Sequence, residues 1–146
     1  MISKDFIGLE LEPFTTTVEA GRLRFFARAT GQSDPVYSDT DAARSAGYRG
    51  LPVPPTFLFG LELDAPDPFA LYEKMGVDLG RILHGEQRFE YLEPACAGDT
   101  LTFVTRVNDI FDKKGGALDF IVQETVITNQ YDVHVANLRR VFVVRN

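Results

Sequence analysis

The chain has 146 residues, 45% of them hydrophobic and 25% charged, and carries a formal net charge of −6. That length fits a single domain over 1–146 with one core, and the acidic balance argues against a nucleic-acid surface, which needs a basic field. A lone cysteine, Cys96, excludes an intrachain disulfide, and with only two histidines no Cys/His metal site is expected.

The opening segment, MISKDFIGLELEPF, lacks the apolar core and small-residue cleavage site of a signal peptide. No apolar run approaches the roughly 20 residues that span a bilayer. The expectation is a cytoplasmic protein with no membrane segment. TTTV, residues 15–18, reads as a short strand. Residues 18–30, VEAGRLRFFARAT, place Val18, Leu23, Phe26, Ala27 and Ala29 apart from most of the arginines, which predicts an amphipathic helix stopped by Gly31. Asp39 or Thr40 can cap a second short helix that ends at Gly47.

Pro54 and Pro55 suit a helix entry, where their missing N–H groups cost nothing. The helix that follows, 56–63, is apolar on almost every side, so it is expected to be buried in protein. Residues 64–79 read as a loop holding a short helix near 69–74. Strands are expected at 82–92, 101–110, 117–128 and 133–144, the middle pair joined by the DKKGG turn. Within the first of them Phe89 and Tyr91 share a face, opposite Arg88 and Glu90. A short strand, helices, one buried helix and an antiparallel meander amount to an α+β hot-dog fold, a sheet wrapped around a central helix. Fold does not fix function.

Two stretches, ATGQSDPVYSDTDAARSAGYRGLPVPPTF and LHGEQRFEYLEPACAGDTL, resemble MaoC-like (R)-hydroxyacyl dehydratases, or enoyl-CoA hydratases 2. The nearer branch is the FAS1-like, N-terminal or non-catalytic subunit type. Active members of the family carry a G-D-x-N-P-aliphatic-H loop whose Asp and His act on water or on a (3R)-hydroxyacyl thioester. The matching positions here are Gly31, Gln32, Asp34, Pro35, Val36 and Tyr37. Both acid–base positions have changed. A Gln amide is neither acid nor base, and a phenol with a pKa near 10 is a poor base at neutral pH. Losing one positioned acid–base group typically costs about 10²–10⁴ in rate.

The resemblance therefore implies a substrate-binding half with a degenerate loop. It would act on an acyl-CoA or acyl-carrier-protein thioester, need no cofactor, and work as a homodimer or as a heterodimer with a catalytic hot-dog chain. Pro55, Thr56, Phe57 and Gly60 are the matching substrate-binding positions, with the Thr56 N–H as the first free donor of its helix, suited to a thioester oxygen. Phe57, Phe59, Leu61 and Leu63 could line an acyl channel or fill the core. Arg139, Arg140 and Arg145 could meet coenzyme A phosphates or be ordinary surface arginines. Two alternatives stand beside this reading. The chain could be a hydratase by itself, using Asp34 as a lone carboxylate or His84 as the base. It could also be an acyl-thioester binding module without catalysis. His134, the Gly98–Asp99 turn and Cys96 read as structural.

Overall fold

The computed structural model describes residues 1–146. In chain order it has β1 (Phe14–Thr17), α1 (Ala20–Ala29), a 3-10 turn (Pro35–Tyr37), α2 (Thr40–Ser45), α3 (Phe57–Glu62), α4 (Ala70–Lys74), β2 (Ile82–Tyr91), β3 (Thr100–Lys113), β4 (Leu118–Thr128) and β5 (His134–Arg145). Asp39 caps α2, its side chain accepting from the N–H groups of Asp41 and Ala42.

The strands form one antiparallel sheet in the order β1-β3-β4-β5-β2. This corrects the expected meander. Only β3, β4 and β5 follow one another, while β2 closes the far edge beside β5. Residues 92–99 carry the chain from β2 to β3 across a gap of three strand spacings, roughly 14 Å. That link is pinned to the entry of α3: the Val53 N–H donates to the Ala95 carbonyl and the Ala97 N–H to the Leu51 carbonyl.

Paired residues of neighbouring strands share a face, so the register names the side turned toward α3. It carries Phe103 and Thr105 on β3, Gln123, Thr125 and Ile127 on β4, Leu138, Arg140 and Phe142 on β5, and His84, Gln87, Phe89 and Tyr91 on β2. Phe57, Leu58 and Leu61 of α3 join Leu101, Phe103, Ile127 and Leu138 in the main core cluster. The helix is not buried all round, however. Gly60 and Leu63 are exposed, and the most deeply placed polar residue is Glu62 on its last turn. No helix is long and apolar enough to cross a membrane.

Candidate functional site

The two ends of α3 open onto two different cavities. At its start lies a cavity of about 290 Å³ lined by Tyr37, Tyr48, Pro55, Leu58 and Tyr91 among others. At its end lies one of about 600 Å³, whose walls include Phe14, Glu62, Leu63, Tyr72, Arg140 and Phe142. The second falls within the usual range for small-molecule sites.

The loop of Gln32 to Tyr37 is held by its own side chains. The Asp34 N–H donates to Gln32 Oε1 (3.1 Å), and Asp34 Oδ1 accepts from the Val36 N–H (3.1 Å), capping the turn at Pro35–Tyr37. Asp34 is thus engaged as a cap. Gln32 and Asp34 are exposed, and of the loop residues only Tyr37 reaches the smaller cavity. Burial, followed by the nearby Tyr48, Asp34 and Tyr91, pushes the Tyr37 phenol above its ordinary value. That moves it further from service as a base at neutral pH.

Thr56 enters α3 in a left-handed conformation, with φ 72°. A β-branched residue is rarely found there, and such strain costs of order 1–3 kcal/mol. Its N–H, expected to be free, donates to the Tyr91 hydroxyl at 2.9 Å. The protein's own phenol therefore occupies the donor that the sequence offered to a thioester oxygen. Pro55 lines the same cavity. Phe57 instead turns into the core, edge-to-face with Phe26 and beneath the Arg22 guanidinium. A Cβ at Gly60 would meet nothing within 4 Å, so that face of α3 is open.

His84 sits on β2 with its ring centroid 4.9 Å from each of Phe59 and Phe142, and its Nε2 lies 3.2 Å from the Glu86 carbonyl oxygen. It lines neither cavity, and neither does Asp34. Asp34 stands beside Tyr37 at the head of the same turn but outside both cavities, and His84 packs elsewhere, between Phe59 and Phe142. His134 contacts Asn137 Oδ1 at 2.7 Å, and Cys96 is buried with its N–H donated to Asp99. No three His, Cys, Asp or Glu side chains converge in a way that could hold a metal ion.

The larger cavity has a polar floor that sequence reasoning did not assemble. Glu62 is only 7% exposed. Its Oε1 accepts from the hydroxyls of Thr105 and Thr125, both at 2.8 Å, and its Oε2 from Arg140 Nη1 at 2.7 Å. Arg140 Nε and the Tyr72 hydroxyl both donate to Gln123 Oε1 at 2.8 Å. Burial drives the Tyr72 phenol far above its ordinary value, so it remains a donor. Arg140 is therefore no surface arginine waiting for a phosphate. It is buried over the Phe142 ring and paired with the helix. Arg139, the next residue, faces the other side of the sheet and pairs with Glu86 there.

A curled antiparallel sheet with a short helix in its hollow is the hot-dog fold. The family model "FAS1-like, dehydratase domain region" matches residues 5–138, and the chain belongs to that family. It is 35% identical over 146 residues to a UPF0336 protein of Saccharopolyspora erythraea, covering 99% of this chain and 92% of that one. Over 128 residues it is also 35% identical to a UPF0336 protein of Streptomyces avermitilis, covering 81% and 85% respectively. Among solved structures, a MaoC-like dehydratase superposes with a TM-score of 0.84 at 25% identity, over 97% of this chain and 42% of the other. The HadBC (3R-hydroxyacyl-ACP dehydratase) complex of Mycobacterium tuberculosis superposes at 0.80 and 24% identity, over 94% and 97%, and shares the fold.

Proposed function

We propose that this chain is the substrate-binding half of an (R)-specific enoyl-thioester hydratase or 3-hydroxyacyl-thioester dehydratase, and that a second hot-dog chain supplies the acid and base. The observation that carries this reading is the Tyr91 hydroxyl on the Thr56 N–H. Hydration of an enoyl thioester needs a proton acceptor for water, a proton donor for the α-carbon, and donors for the developing enolate oxygen. Here the acid–base positions are Gln32 and Tyr37, and the oxygen-binding donor is already engaged. The larger cavity, at the far end of α3, remains available to an acyl chain. Two solved neighbours, HadBC and the ChsH1-ChsH2 complex of Mycobacterium tuberculosis, are named as complexes of paired chains, which supports looking for a partner.

The test is hydration of crotonyl-CoA by the purified chain, alone and after co-expression with a hot-dog chain bearing G-D-x-N-P-x-H. Alone, the rate is expected near background, and the pair is expected to be active. Strong activity from a clean homodimer would overturn the reading, and loss of that activity in Asp34→Asn or His84→Gln would assign it to this chain's own residues. Saturable thioester binding without turnover in any pairing would instead favour a binding module.

A further inference from the structure

The polar row that reaches the larger cavity through Arg140 holds more hydrogen-bonding capacity than the protein uses. Gln123, Arg140 and Gln87 stand side by side on β4, β5 and β2, in one row across the face turned toward α3. Gln123 is 1% exposed, and two donors on its Oε1 fix its amide orientation, leaving its Nε2 without a partner. On the other side of Arg140, the buried Gln87 Oε1 is also unpartnered. Arg140 itself lines the cavity and spends Nε on Gln123 and Nη1 on Glu62, which leaves Nη2 with no protein acceptor. Leaving a buried polar group unpaired is unfavourable, and so is stripping water from one without replacing its hydrogen bond. A plain hydrocarbon chain pressed against the Arg140 edge does the second.

Charge narrows the choice of guest. Glu62 and Arg140 neutralise each other at 2.7 Å, so the floor has no net charge left to offer. A carboxylate pushed against it would be a buried charge without a counter-ion, which is strongly disfavoured. A neutral oxygen accepts from the free guanidinium edge without that cost.

We propose that the larger cavity takes an acyl thioester whose chain bears a neutral oxygen, a ketone or a hydroxyl, at the depth of the Arg140 row. This deepens the reading of the chain as a substrate-binding half and rests on it. The ω-carboxylated analogue is excluded by the same row, and the saturated chain binds less tightly.

The experiment measures equilibrium binding of three probes to the purified full chain in the assembly in which it is isolated. The probes are decanoyl-CoA, mono-oxo decanoyl-CoA isomers with the ketone beyond the β-carbon, and decanedioyl-CoA. One oxo isomer is expected to bind about tenfold tighter than decanoyl-CoA, the equivalent of one charge-assisted hydrogen bond, and decanedioyl-CoA the least tightly. In the double variant Glu62→Met/Arg140→Met, and independently in Gln123→Leu with the ion pair intact, the oxo preference is expected to fall at least several-fold. Decanoyl-CoA or decanedioyl-CoA binding as tightly as every oxo isomer overturns this inference and leaves the hydratase reading standing. An oxo preference that survives in both variants removes it from this row. Failure of all three probes to bind removes both readings together.

Discussion

The Tyr91 hydroxyl accepts a hydrogen bond from the Thr56 N–H at 2.9 Å, across 35 positions of sequence. Tyr91 ends β2 and Thr56 begins the entry to α3, so the contact joins the sheet's edge to the head of the central helix. Repairing the loop alone is therefore expected to leave the site blocked. The variant Gln32→Asp/Asp34→Asn/Tyr37→His should hydrate crotonyl-CoA no faster than the parent chain. Adding Tyr91→Phe, which frees the Thr56 donor, should raise the rate at least tenfold over the loop variant, within the range that one oxygen-binding donor contributes. Tyr91→Phe by itself should cost about 1 kcal/mol in urea unfolding and gain no activity. Equal rates with and without Tyr91→Phe would show that the phenol does not guard this donor.

Glu62 and Arg140 tie the last turn of α3 to the middle of β5. Breaking a buried pair from one side leaves an uncompensated charge, which typically costs 3–5 kcal/mol, whereas apolar replacement of both partners is often close to neutral. Glu62→Met and Arg140→Met should each lower stability by about 3 kcal/mol or more. The double variant Glu62→Met/Arg140→Met should recover most of that loss. Chemical denaturation of the four proteins gives the coupling directly, and additive losses would refute the pairing.

Much of the fold was legible because periodicity carries it. Alternation placed the four long strands, and an apolar run after two prolines placed α3. The polar floor was harder to read. Glu62 lay within a segment whose other residues are mostly apolar, and sequence alone could not say which of Arg139 and Arg140 turned inward. The strand's parity decides it: Ala136, Leu138, Arg140 and Phe142 share the inner face. Glu62, Thr105, Thr125 and Arg140 meet only because the sheet wraps the helix, a consequence of tertiary closure that no local pattern encodes. The residue types of the Gln32–Tyr37 loop, by contrast, are plain in the sequence, although the hydrogen bond between Thr56 and Tyr91 is not.

Gly85 lies at the irregular point of β2, between His84 and Glu86, where the register against β5 shifts. A Cβ there would stand 2.8 Å from Val143 Cγ2 and 3.3 Å from the Val141 carbonyl oxygen. Gly85→Ala should therefore destabilise by about 1–3 kcal/mol, as overpacking does. Because β2 is an edge strand, with β5 as its one neighbour, the damage should concentrate there. Hydrogen exchange should quicken in β2 and β5 before the β3–β4 pair responds. Combining the change with Val143→Ala removes the closer contact and should restore part of the loss, the carbonyl contact holding back the rest.

Asp99 closes the turn that leads into β3, and it sets how the protein meets acid. Its side chain is 1% exposed, accepts both Nη groups of Arg49 at 2.8 and 2.9 Å, and accepts the Cys96 N–H and Gln130 Nε2 as well. Burial alone would raise this carboxyl. The hydrogen bonds from Arg49, Gln130 and Cys96 outweigh it and hold Asp99 below the usual aspartate value. A carboxyl depressed on folding stabilises the native state fully above its unfolded pKa, and that contribution fades as pH falls through the folded value. The turn should therefore contribute fully above about pH 4, the unfolded aspartate value, and progressively less below it. Asp99→Asn keeps the size but loses the charge-assisted bonds from Arg49. It should lower stability at pH 7 and flatten the decline on the acid side, as read from urea midpoints across the range. A variant with the parent's slope below pH 4 would place the acid sensitivity on another carboxylate.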